Sequence, residues 1–487
     1  MASSRAPTCT PAAAADGGIE ENAMAILDPS GIKDSRDLHE DRAAFLEAVR
    51  SACLAANNPS APSCSILTQC SFIDLLPSAR RMYDGVFQVL QNSSSLELAV
   101  ASFHLLMELG KRYPRTYLTD SGGHQSLVVA KESWLPFLIG NGSVSNEIGG
   151  NARSSDHLFD PSRFSLLIEA MVGPTNATDD DKNEIKAIEN MILFQYLVNT
   201  LETDFVPRHI AYKESLDWVI FRESLLNMLL GSRKLVFKSF VKNCMLLLNQ
   251  YHPEAKDAVE GVPSEEAAKS ASDLDSSLSY SLLESERTLV SLRKLFVMVM
   301  ELDLIKKEAD TLGLTSRADG VRNPIMEVIL DELTYNISYL SSFFLAFVEG
   351  KWKLEIILQY FSKYCGKGPV RTRRSGNSQE DLKLESVLSF FLTATSAKAI
   401  VKKMGTEVAQ LLLAHAYQVC LSVQNDTSDS TATTNKIGAS LKEISCNFIY
   451  AFQNLRKVEP NIQISPFEKE ALFTAATLTR RLKNEEK

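Results

Sequence analysis

From Met326 to Phe347 the apolar side chains step by three or four: Met326, Ile329 or Leu330, Leu333, Ile337, Leu340, Phe344 and Phe347. That spacing lays one apolar stripe along an α-helix and does not fit the two-residue period of a strand. Asn323-Pro324 stands just ahead of it. Asn accepts from an early backbone N–H, and Pro at the first helical position gives up a donor that has no helical partner. The run predicts a core helix over 324–348, inside the densest helical patterning of the chain, Leu289–Arg374. A cofactor pocket lined by its aromatics is the other use for such a helix, and nothing else in the sequence supports it.

The same reading extends along the chain. Helices are expected at 37–55, 78–90 and 95–113. In the third of these, Leu96, Val100, Phe103, Leu106 (or Met107) and Leu109 form the buried face, and Pro114 ends it. A helix at 161–172 follows, and Asp179–Asp181 form an acidic helix start ahead of 185–201. Pro207 then opens the next unit, with 212–230 and 235–249 as a helical pair joined by the GSRK turn. Further helices are expected at 279–311, 351–364, 382–394, 397–422, 437–457 and 466–483. Nowhere do four to eight residues alternate apolar and polar between hairpin turns. The expected fold class is therefore all-α: stacked helical hairpins, an armadillo/HEAT-like solenoid with degenerate repeats.

The segmentation that follows is a disordered N-terminal tail at 1–20 and an N-terminal helical array at 21–251. An acidic Ser/Ala-rich loop at 252–277 precedes a central helical block at 278–364. A basic-to-polar linker at 365–381 leads to C-terminal helices at 382–487.

Several function classes have no footing. The formal charge is −9, from 51 Lys+Arg against 60 Asp+Glu, so the chain lacks the overall positive field of a protein that binds duplex DNA through phosphates. No apolar run approaches the ~20 residues that span a bilayer, and the N-terminus shows no secretory h-region. The eight cysteines are scattered and read as reduced thiols. There is no P-loop, G-x-G-x-x-G, G-x-S-x-G or H-E-x-x-H, and Cys64 and Cys70 have no neighbours that complete a zinc pattern. No catalytic residue, metal site, cofactor or small-molecule substrate is expected, and no membrane partner. His104 and His415 lie in apolar helices and are expected in or near the core. Met298 and Met300 read as gap-filling core residues.

Two basic loops remain as candidate contacts with a protein partner or a phosphate. Thr315–Arg322 holds Arg317, Asp319 and Arg322 between two buried helices. A guanidinium there can pair with carboxylate or phosphate. Alternatively Asp319 and Gly320 only make the turn and the arginines cover helix ends. Arg371, Arg373 and Arg374, after Lys367, form the most basic loop, open to phosphate contact, nuclear import or plain solvation. Lys402-Lys403 and Arg480-Arg481 with Lys483 are weaker. Trp352, Ile356, Tyr360 and Tyr364 recur every four residues and read as packing rather than a base-stacking platform.

Four stretches together carry a resemblance: KDSRDLHEDRAAFLEAVR (33–50), VMVMELDLIKKEADTLGLTSRADGVRNPIMEVILDELTYN (297–336), KWKLEIILQY (351–360) and PVRTRR (369–374). With the C-terminal ISPFEKEALFTA, they resemble the plant family of negative regulators of systemic acquired resistance, the inducible suppressor family. The resemblance implies a nuclear, armadillo/HEAT-like protein without enzymatic activity. It implies restraint of pathogenesis-related gene transcription and of somatic homologous recombination, and a place as accessory subunit of the SMC five/six DNA-repair complex. The partners it implies are proteins, SMC five/six subunits among them, with chromatin reached through those partners. A direct DNA-binding repressor using the 367–374 loop is the alternative. The family supplies no catalytic residues to carry over.

Overall fold

The structure is a computed structural model. It describes residues 35–55, 77–93, 95–112, 117–119, 127–129, 134–138, 158–173, 180–251, 274–316, 319, 325–335, 338–347, 349–365, 383–425, 437 and 440–485. Among the described residues the fold is all-α apart from one short ladder and an isolated bridge, and the chain divides into two compact units, Met1–Asn243 with Ser264–Asn323, and Cys244–Pro263 with Pro324–Lys487.

The first unit holds α1 (Ser35–Ala55), α2 (Pro77–Gln91), α3 (Leu96–Arg112), α4 (Pro161–Val172), α5 (Asp180–Ser215), α6 (Trp218–Arg222), α7 (Leu225–Leu230), the start of α8 (Phe237–Tyr251) and α9 (Leu274–Thr311). Its frame is the pair α5–α9. Gln195 reaches Glu284 and Thr288, Glu202 pairs with Lys294, His209 faces Glu301, and Tyr212 donates to Glu308. Both partner sets climb together, so the two long helices run parallel. Residues 202 and 209, and 294, 301 and 308, are spaced by sevens, the repeat that keeps one seam facing a partner helix. Parallel neighbours so far apart in sequence are not helical hairpins; α2 with α3 is one, closed by a short connection.

Around this pair an aromatic cluster fixes the earlier elements. Trp134 stacks on Tyr83 at 5.1 Å between centroids, donates to Asp84, and meets Phe87 edge-on. Phe137 bridges to Phe159 through backbone bonds and packs on Phe164, which stacks on Phe194. The ladder pairs β1 (Tyr117–Thr119) with β2 (Leu127–Val129), antiparallel, Leu118 opposite Val128. Three-residue strands are too short for an alternation test to find.

In the second unit follow α10 (Ile325–Tyr335), α11 (Ser338–Ala346), α12 (Gly350–Cys365), α13 (Leu384–Ser389), α14 (Ala394–Met404), α15 (Thr406–Asn425), α16 (Leu441–Val458) and α17 (Pro466–Glu485). α16 and α17 pack as a hairpin, and α15 touches both. Trp352, Leu354, Ile356, Ile357, Tyr360 and Phe361 are at most 1% exposed, so α12 is the core helix of this unit.

Several boundaries differ from the sequence reading. Pro207 does not open a unit: α5 runs through it to Ser215. The carbonyl that a helical donor at 207 would meet belongs to Thr203, and Thr203 is exposed, which lowers the cost of a proline at that point. The expected helix 212–230 is instead the end of α5, then α6 and α7. Leu216 takes a left-handed φ of 54°, Asp217 caps α6 and Ser224 caps α7. Within the expected helix 324–348 the described residues are α10 and α11; Asn323-Pro324 and residues 336–337 lie outside the described residues. Its stripe is nonetheless buried: Ile329, Leu333, Leu340 and Phe344 show no exposure. Helix 382–394 shortens to α13, and α9 begins at Leu274, inside the span read as the acidic loop. In α3 the buried face is Leu98, Ala99, Ser102, Leu105, Leu106 and Leu109, rotated from the expected stripe; Leu96, Val100 and Phe103 are half-buried and His104 is exposed.

Gly405 splits the expected helix 397–422 into α14 and α15. It sits at φ 84°, ψ 156°, a region open essentially to glycine, and its N–H closes α14 on the Val401 carbonyl. A Cβ there would touch nothing within 4 Å, so the cost of Gly405→Ala is conformational alone. Gly110 offers the opposite case, inside α3 with open space around it. Gly405→Ala is expected to destabilise by about 1–3 kcal/mol and Gly110→Ala to stabilise by about 0.5–1 kcal/mol. Denaturant titration of both variants checks the opposite signs.

Candidate functional site

All five candidate arginines, Arg317, Arg322, Arg371, Arg373 and Arg374, lie outside the described residues. What is described is the frame that holds the first loop. Past α9, Gly313 turns left-handed at φ 71°, Leu314 N–H returns to the Ala309 carbonyl at 2.9 Å, and Gly313 N–H to Asp310 at 3.2 Å. This is the glycine-closed helix end that satisfies the last carbonyls. Thr315 then bonds Asp310.

Asp319 is 8% exposed and accepts twice on one carboxylate oxygen, from the Ser316 N–H at 2.5 Å and from Trp218 Nε1 at 3.1 Å. Of the two readings of Asp319, the turn-making one is what the structure displays, with a bond to α6 added. Trp218 is itself buried and sits 101 positions away, so no local signal pointed to this partner.

The aromatic row of α12 is packing. Trp352 and Tyr360 are 1% exposed, and Thr334 of α10 bonds the hydroxyls of Tyr360 and Tyr364 at 3.2 and 2.6 Å. Lys363 pairs with Asp331 on the same side of this contact. Among the weaker basic residues, Lys403 donates to the Tyr364 carbonyl at 2.9 Å, completing the end of α12, while Lys402, Arg480 and Arg481 are exposed. His415 is 1% exposed between Phe344 and Phe467, as expected of a core histidine, and Met298 and Met300 are buried too.

The buried thiols are chemically quiet. Cys244 and Cys420 are free, and burial pushes both well above the ordinary thiol value, Cys420 to about 12. Among the described residues no group of three His, Cys, Asp or Glu side chains is placed to hold a metal ion, and no helix is long and apolar enough to cross a membrane.

Two family models match this chain, the SNI1 middle domain over residues 115–349 and the SNI1 C-terminal domain over 365–483. An Arabidopsis thaliana protein named "Negative regulator of systemic acquired resistance SNI1" is 38% identical over 466 residues, covering 95% of each chain. The chain belongs to the SNI1 family. No solved structure matches it. The SNI1 middle-domain match ends at 349, just before α12, whereas the compact units part at 323. Helices α10 and α11 thus belong to the middle domain by sequence and to the C-terminal unit by packing.

Proposed function

We propose that the protein is a non-catalytic nuclear scaffold that restrains systemic acquired resistance and pathogenesis-related gene transcription. It does so as a subunit of the SMC five/six complex, in DNA repair and homologous recombination, and reaches chromatin through its protein partners. One observation carries the regulatory part: 38% identity across 95% of both chains with a protein bearing that regulatory name. The four resembling stretches support the complex assignment. Long helices suit the role, because they offer partner helices extended ridges to pack on.

Expression of this chain in Arabidopsis plants lacking their own SNI1 is expected to return pathogenesis-related transcripts to the wild-type level. SMC five/six subunits are expected to co-purify with it from nuclei in mild salt. Transcripts that stay high despite good expression overturn the regulatory reading, and absence of the SMC subunits overturns the complex assignment. Binding of the purified protein to DNA that falls steeply with salt and disappears in Arg371→Ala/Arg373→Ala/Arg374→Ala replaces both with a direct DNA-binding repressor.

A further inference from the structure

One stretch of the chain carries positive charge against the overall −9. Between Glu223 and Glu254 stand Arg233, Lys234, Lys238 and Lys242, and not one Asp or Glu. These residues lie in the turn after α7 and the first turns of α8, all within the first unit. Phe237, Phe240 and Val241 face inward, each at most 6% exposed, with Phe240 against Phe164 of α4. The other side of α8 is open: Lys238, Ser239 and Lys242 are exposed, the two lysines one helical turn apart. Val236, whose carbonyl takes the Phe240 N–H at the start of α8, is 63% exposed.

The turn is anchored, and the anchoring uses up the nearest acids. Ser162 donates to the Lys234 carbonyl at 3.3 Å, and Lys234 Nζ pairs with Asp160 at 3.2 Å. Asp160 also caps α4 by accepting the Arg163 N–H. Arg163 is committed to the Leu158 carbonyl and lies over the Phe159 ring, and Glu223 pairs with Arg222. Among the described residues of α4, its cap and the span 222–251, Arg233, Lys238 and Lys242 remain without an acid, against one exposed acid without a cation, Glu169. Glu169 stands seven residues beyond Ser162, about 10 Å along α4 from the point where the turn is anchored.

Two properties of a partner are favoured together here: negative charge, and an apolar side chain that covers Val236. A phosphate backbone supplies only the first. The small extent of the patch separates them further. At physiological ionic strength the Debye length is about 8 Å, so a short segment senses these cations and little of the distant charge. A duplex runs past them onto the rest of the chain, which is more acidic than the −9 total. We propose that the turn 231–236 and the open side of α8 dock an acidic segment of a protein partner, in which Asp or Glu residues flank a bulky apolar side chain. The acids meet Arg233, Lys238 and Lys242, and the apolar residue covers Val236. The inference deepens the scaffold reading and rests on it, since it names a surface through which the protein would hold a partner.

The test uses the full chain and labelled synthetic peptides with leucine, phenylalanine or tryptophan at the centre and two glutamates on either side. Companion peptides carry serine at the centre, or lysine for every glutamate, and a DNA duplex of about 20 base pairs is the third probe. Fluorescence anisotropy is expected to show binding by at least one acidic apolar peptide, weakened as salt rises. Lys238→Glu/Lys242→Glu is expected to weaken it roughly tenfold or more, and Val236→Ser about threefold. Arg480→Glu/Arg481→Glu makes the same change in net charge on exposed residues of α17 and is expected to leave binding within about twofold. The lysine peptide is expected to prefer the Lys238→Glu/Lys242→Glu variant to the natural chain. Unchanged denaturant midpoints show that the variants are folded.

Absence of binding by every acidic peptide overturns the proposal, as does equal weakening by Arg480→Glu/Arg481→Glu. A duplex that binds more tightly than every peptide, indifferent to Val236→Ser, overturns it by giving the surface to nucleic acid. A concentration-dependent doubling of mass that Lys238→Glu/Lys242→Glu abolishes overturns it by giving the surface to a second copy. Co-purification of SMC subunits with the unaltered chain judges the scaffold reading separately: it can hold while Lys238→Glu/Lys242→Glu changes nothing, and fail while the peptides bind.

Discussion

Asp204→Ala is expected to lower folding stability by about 3–5 kcal/mol, among the largest single losses in the first unit. Asp204 and Arg208 are 2% and 3% exposed, one helical turn apart on α5, with Asp204 Oδ1 accepting from Arg208 Nε at 3.2 Å. The second carboxylate oxygen accepts the Leu225 N–H at the start of α7, at 2.8 Å. Arg208 in turn donates to the Ile220 carbonyl in α6, at 2.6 Å. Alanine at 204 leaves a guanidinium in the core without its counter-charge and an α7 N–H without its acceptor.

A buried ion pair can often be exchanged for apolar residues at little cost, because neither charge then needs solvation. This pair is different, since each member also closes a backbone group of another element. The double variant Asp204→Leu/Arg208→Met is therefore expected to remain less stable than the natural chain by about 2 kcal/mol or more. Urea titration of both variants decides the matter. A loss below about 1 kcal/mol for Asp204→Ala, or full recovery in the double variant, would show that the network contributes little beyond the pair itself.

The same network explains what the sequence could not disclose. Apolar spacing placed the stripes of α10–α11 and α12 correctly, because a run such as Ile329, Leu333, Leu340 and Phe344 reports its own burial. Breaks and continuations were less legible. Pro207 reads as a helix boundary on local grounds, yet α5 runs through it and meets α9 on either side, with Glu202 paired to Lys294 before it and His209 facing Glu301 after it. Gly405 has the converse effect: one left-handed glycine divides a stripe that continues on both sides. The face of α3 was displaced because Phe103 is large enough to dominate a pattern while small Ala99 and Ser102 take the buried positions.

For the candidate loops, residue types gave the chemistry but not the partners. Asp319 was legible as a turn residue; its bond to Trp218 depends on a contact between distant segments.

Lowering the pH from 7 to 4 is expected to destabilise the second unit through His415, and His415→Phe to remove that sensitivity. The ring is 1% exposed, stacked on Phe344 at 5.0 Å and tilted against Phe467 at 4.5 Å, and neither nitrogen has a hydrogen-bond partner. Burial, and then the Lys353 ammonium, push its pKa from 6.5 down to about 3. Between those values the unfolded chain holds a proton that the folded one refuses. Stability from this group is therefore complete above about pH 6.5 and is lost as pH falls toward about 3. At 1.36 kcal/mol per unit the whole window is worth at most roughly 4–5 kcal/mol.

Glu468, beside Phe467, acts with the opposite sign. Burial raises its carboxyl against the bonds from Ser465 that lower it, so acid favours its folded form. Its contribution is common to both proteins and cancels in their difference. Phenylalanine at 415 keeps the ring contacts and removes two buried nitrogens without partners, which is expected to add about 1–3 kcal/mol at pH 7. Its extra volume can offset that gain, but the loss of acid sensitivity does not depend on it. Denaturant midpoints for both proteins from pH 7 to 4 give the test: parallel curves would mean that His415 is protonated or solvated in the folded state.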